Sequence, residues 1–250
     1  MDTYFDLGEY SFPVTTQSTE AQKWFDRGIL WTYGYNHEEA VMCFERAIGA
    51  DPKCAMAYWG AGYASGPNYN MPWDLFDYAG RAAAARAGYA NARKALDMID
   101  GVTRWEAALI NALPARYPQP EPLDPEVMKA WNADFTDAMR DVFAVHPESH
   151  EVRTVFAESL LNLTPWKMWD LPSGQPASGA RTVEAQKVLE EAMEGDPSAM
   201  HHPGLLHLYV HLMEMSPFPE KALKAGDALR RLVPDAGHLI HMPTHIDILC

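Results

Sequence analysis

AQKWFDRGILWTYGYNHEEAVMCFERAIGADPKC, residues 21–54, carries two apolar stripes of helical period with a turn between them. Trp24, Gly28 and Trp31 mark the first stripe, and Ala40, Phe44 and Ala47 the second. Residues three and four apart share one face of a helix. The small residues let two antiparallel helices touch. Pro52 stops the second helix, because its ring has no N–H and clashes inside a helix. The stretch predicts a helical hairpin.

The closing phrase recurs along the chain. Asp51-Pro52, His146-Pro147, Asp196-Pro197 and Val233-Pro234 each end an amphipathic segment. Twelve residues before each proline stand Ala40, Phe135, Ala185 and Ala222, so all but Phe135 are the small residue that close helix contact asks for. Residues 55–65 supply the next first helix, with Tyr58, Trp59, Gly62 and Tyr63. Helices are predicted over 74–98, 103–113 and 125–144. No alternating Val/Ile/Thr run bounded by turn residues is present, so no sheet is expected. Residues 1–17 read as an extended arm, and Ser18 or Thr19 as the first N-cap. Two turn-rich insertions, 66–73 and 165–179, break the pattern; such loops often carry function.

The order of large, small, aromatic, then Ala, aromatic, Ala, Pro over 21–54 resembles a tetratricopeptide repeat. The resemblance implies an all-α, right-handed α-solenoid of helical hairpins, a single domain over 1–250. The runs Trp24-Phe25-Asp26-Arg27-Gly28, Asn36-His37-Glu38-Glu39-Ala40 and residues 54–60 are similar to a bacterial and fungal group of these proteins. That group also carries a late HxxHxxxH stretch. The resemblance implies a fold and no reaction type. The last hairpin lacks its second helix, so the natural chain is expected to continue past Cys250.

Seven of the ten histidines fall between residues 201 and 245. His207 and His211 are spaced i, i+4, as are His241 and His245, and the second pair follows the first by 34 residues. In the resembled family the first helix of each hairpin lines the concave groove at its second, fifth, ninth and twelfth positions. A repeat starting at Gly237 places His238, His241 and His245 at the first three of these. A repeat starting at Pro203 places His207, His211 and Glu214 at the last three. Packed helices lie about 8–10 Å apart, so facing His pairs can share one metal or hold two. His202 can join the first set. Glu214 and Glu158 are candidate carboxylate ligands, or acceptors that fix an imidazole tautomer. Trp59 and Tyr63 are candidates for an apolar wall beside a substrate, although core packing suits at least one of them. His37 and His146 read as capping or surface residues. The competing reading is a polar groove whose imidazoles bond to each other and to water. Two HxxxH pairs in register favour metal.

A net charge of −14 excludes a nucleic-acid partner and an anionic membrane surface, since both need a basic face. Cys43, Cys54 and Cys250 form no CxxC pair or disulfide framework. The acidic start lacks a signal-peptide pattern, no apolar run reaches spanning length, and a cytoplasmic setting is expected. HExxH, GxSxG, GxxxxGK and GxGxxG are absent. A His-rich, Cys-poor cluster suits copper or iron, with zinc as a further option. The expected function is a metal-dependent oxidoreductase acting on a small molecule. A scaffold gripping a peptide in its groove and a metal store or sensor are the alternatives.

Overall fold

The computed structural model describes residues 4–250, so the first three residues of the expected arm lie outside it. Residues 4–18 form no helix or strand and run along the surface as an arm. The Ser18 hydroxyl accepts from the Ala21 N–H at 3.1 Å and starts α1 (Thr19–Tyr33). Then follow α2 (His37–Ala50), α3 (Ala55–Ala64), α4 (Tyr78–Leu96) and α5 (Arg104–Ala112). The second half holds α6 (Pro125–Val145), α7 (His150–Leu161), α8 (Thr182–Gly195), α9 (Pro203–Met213) and α10 (Leu223–Leu229). Two short pieces, α11 (Gly237–His241) and α12 (Pro243–Asp247), end it. The described chain is mostly helical, with α9 and α11 starting where the 34-residue spacing puts them.

Most helices pack on their neighbours in sequence: α1 on α2, α2 on α3, α3 on α4, α6 on α7, α7 on α8, and α9 on α10. The first contact is made possible by glycine. A Cβ on Gly28 would sit 2.6 Å from the Phe44 ring, and one on Gly60 2.4 Å from it. Phe44 of α2 is fully buried between these two helix backbones.

Long-range contacts then close the array. Helix α9 packs on α7 and on α1, and bare Gly204 brings its backbone against Tyr33 and Thr154. The arm spans the seam. Asp6 N–H donates to the Asp235 carboxylate at 2.6 Å, and Asp235 N–H to the Asp6 carbonyl at 2.9 Å. Of the positions expected to line an open groove, His207 and His211 lie inside, whereas His241 stays exposed.

Three expectations need correction. The loop 165–179 holds a small antiparallel ribbon, Trp169–Asp170 against Gln175–Pro176, where no sheet was expected. Gly174, at φ 66°, makes the tight turn, and Asp170 accepts from the Ser173 N–H. The helix expected from 74 begins at Tyr78, because Pro72 leads a 3-10 turn over Trp73–Leu75 and Asp77 then caps α4. The last helix breaks at Met242, since Pro243 has no N–H to continue it.

Candidate metal centre

Helix α9 is apolar all round, and each of its residues is buried. On it, His207 and His211 are each 1% exposed, which is costly for imidazole unless each nitrogen has a partner. Half-buried His238 of α11 meets them from the other side of the seam. The His207 and His238 Nε2 atoms lie 3.0 Å apart, and one ligand atom from each of His207, His211 and His238 falls within 4.8 Å of the other two.

Glu214 stands behind the triad. Its Oε1 accepts from His211 Nδ1 at 2.8 Å, and its Oε2 accepts from His245 Nδ1. A proton held on Nδ1 leaves the Nε2 lone pair bare. His211 Nε2 is indeed buried with no partner. Glu214 thus acts as the tautomer-fixing acceptor rather than as a member of the triad. The outer pair follows: His245 Nε2 lies 2.8 Å from His241 Nε2.

Electrostatics keep the triad neutral. Burial, reinforced by the neighbouring imidazoles, drives His207 well below its usual pKa and His238 down to about 4. Burial also lowers His211, though Glu214 opposes it. Burial pushes the Glu214 carboxyl up, but His211 and His245 outweigh it and hold it below the usual range. Near neutral pH the site is three neutral imidazoles backed by one carboxylate, which is the protonation state a cation needs.

No known family model and no curated protein matches this chain. The resemblance to tetratricopeptide repeats accordingly stands on the sequence motif alone.

The other expected residues lie elsewhere. His202 does not join the triad, because both its nitrogens are taken. Nδ1 accepts from the Leu205 N–H at 3.2 Å, capping α9, and Nε2 lies 2.9 Å from the Tyr10 hydroxyl. Trp59 and Tyr63 stack at 5.2 Å, but both are buried, and Trp59 donates to the Leu109 carbonyl at 3.2 Å. Glu158 accepts from the Tyr63 hydroxyl, and the Arg116 guanidinium lies over the Tyr63 ring. These three form polar core and wall no open groove. His146 caps the end of α6, and His37 opens α2.

Three aromatic residues complete the site and carry no signal in the helical pattern. The Tyr35 ring centroid lies 4.6 Å from that of His207, 5.6 Å from that of His211 and 5.5 Å from that of His238. The Tyr69 centroid lies 5.0 Å from that of His211, and Tyr69 stacks on Trp166. Tyr35 (φ 54°) and Trp166 (φ 62°) are the two non-glycine residues with positive φ among the described residues. A bulky side chain in that region costs roughly 1–3 kcal/mol and persists where packing over-determines it, commonly at functional sites. Tyr69 and Trp166 come from the two turn-rich insertions.

Among the described residues no helix is long and apolar enough to cross a membrane.

Proposed function

We propose that this chain is a metalloprotein whose buried triad His207, His211 and His238 binds a transition metal and serves a reaction on a small molecule. The observation that carries the reading is the bare, buried Nε2 of His211 within reach of two further neutral imidazoles. An unpaired acceptor nitrogen in the interior is costly, and a cation in front of it removes that cost. Three imidazoles with a carboxylate behind one of them suit copper, iron or catalytic zinc, and we favour copper or iron. Such a metal, when bound, supplies Lewis acidity or electron transfer at its open position. The chain's own part is to hold the imidazoles neutral, to fix the His211 tautomer through Glu214, and to screen the site with Tyr35, Tyr69 and Trp166.

The scaffold is proposed to be a right-handed solenoid of tetratricopeptide-like hairpins, curled until α9 meets α1. Neighbour-on-neighbour packing and the glycine contacts at Phe44 support it. Free Cys43 and Cys54 suit a reducing, cytoplasmic setting. A peptide-binding groove finds less support, since Trp59, Tyr63 and Glu158 are buried.

Elemental analysis of purified, untagged protein tests the central claim. Wild type should carry copper, iron or zinc, and His211→Gln should lose the ion held by the triad while keeping its helical circular dichroism. Wild type that takes up none of the three under reducing or oxidising conditions sinks the reading.

A further inference from the structure

We propose a second metal position, outside the triad, held by the Nε2 atoms of His241 and His245. The two residues stand either side of the α11–α12 break, and their ring centroids lie 4.7 Å apart. Their Nε2 atoms face each other at 2.8 Å. The partners of the two rings decide what lies between them. Glu214 accepts the hydrogen bond of His245 Nδ1–H. The Thr244 hydroxyl donates to the His241 carbonyl at 2.6 Å, so its oxygen is left to accept from His241 Nδ1, 3.4 Å away. With both protons on Nδ1, two Nε2 lone pairs point at one another. One proton shared between the two nitrogens, or one cation set against both, relieves their repulsion. Imidazole nitrogens bind zinc at about 2.0–2.1 Å, so two of them on one tetrahedral ion stand roughly 3.3 Å apart, and a small outward turn of either ring from the 2.8 Å contact admits the ion.

The surroundings leave room for the remaining ligands. The pair lines a cavity of about 780 Å³ with Trp166, Met215, Thr244, Ile248 and Leu249. His241 is exposed and His245 half-buried, whereas the triad histidines His207 and His211 are sealed in. The outer ion should therefore exchange quickly and the inner one slowly, and water or a substrate atom can complete the outer shell from the cavity. Glu214 joins the two positions, because its two oxygens orient one imidazole from each set. Loss of such an outer carboxylate commonly weakens a metal site by about 10–100-fold.

Titration of metal-free protein with zinc, followed by calorimetry and by chelator competition, tests this. Wild type should bind two zinc ions per chain. His241→Ala/His245→Ala should bind one, with the tighter affinity retained, and its surface location keeps the fold intact. Glu214→Gln should weaken both phases by about tenfold or more, since an amide can accept from one imidazole but not from both. His241→Gln alone should already remove the weaker phase. The second position is overturned if the double variant still binds two ions. It is equally overturned if wild type binds one ion that His211→Gln abolishes. A single ion lost in the double variant but kept in His211→Gln would refute the buried triad and leave the outer position standing.

Discussion

His202 caps α9, and His211 sits further along the same helix. Both are almost completely buried, and their partners separate their uses. His202 donates from Nε2–H to the Tyr10 oxygen, while Tyr10 donates to Glu151 at 3.2 Å. Its ring is used up in structure. Burial, with a smaller contribution from His150, lowers its pKa to about 3. The unfolded chain takes up a proton on this histidine near pH 6.5. Between those values the unfolded state binds more protons, so this contribution to stability is full above about pH 6.5 and is lost as pH falls toward 3. The loss amounts to about 1.4 kcal/mol per pH unit for one group. Tyr10 from the arm, Tyr33 from α1 and His150 with Glu151 from α7 surround the ring. His202→Asn keeps a capping acceptor and removes the titration. In urea denaturation of the metal-free protein, the gap between wild type and this variant should shrink by about 1 kcal/mol per unit from pH 6.5 to 5. A gap that stays constant over that range would show that His202 titrates alike in both states.

Helices α1 and α3 both present a glycine to the same ring, Phe44 of α2. A methyl on Gly60 has no space unless Phe44 moves, and Phe44 is fully enclosed. Overpacking of this kind costs about 1–3 kcal/mol. Gly60→Ala should lower the denaturation free energy by that amount, and Phe44→Leu should recover part of it in the double variant. Strict additivity of the two changes would mean that the contact does not govern the hairpin spacing. Such elements were legible in the sequence because their signals are local. The helices expected over 103–113 and 125–144 stand as α5 and α6, where the structure shows a Thr103–Glu106 capping box and an Asp124 cap, and the i, i+4 spacing on α9 put His207 and His211 on one face. The rest of the site was not legible, for physical reasons. Tyr35 enters through a left-handed turn that favours glycine or asparagine, and nothing in its composition announces that. Tyr69 and Trp166 arrive on loops without periodicity. The sequence offered only the loops' unusual length and turn content. His202 had the right spacing for a ligand, and only the course of the arm, which brings in Tyr10, removes it.

At the scale of the whole molecule, an open solenoid couples each repeat only to its neighbours, and its ends act independently. This chain departs from that limit. The triad draws His207 and His211 from α9 and His238 from α11, with Tyr35 from the turn between α1 and α2, so the centre sits on the seam where the array meets itself. The arm seals that seam at Asp6, Gly8 and Tyr10. Gly8 is the sensitive point. Its φ is 78°, and a Cβ there would stand 2.0 Å from the Leu232 carbonyl oxygen. Alanine in a left-handed conformation costs about 1–2 kcal/mol before any clash is counted. Gly8→Ala should therefore detach the arm locally without touching a helix. If the arm closes the array, hydrogen exchange should quicken in α10 and α11, which flank Asp235, while α3, α4 and α6 keep their protection. The metal-free variant should also lose the linkage between the two ends, so that added metal restores protection to α11 by tying His238 back to α9. Uniform exchange rates in wild type and variant would mean that α9 and α1 hold the seam unaided.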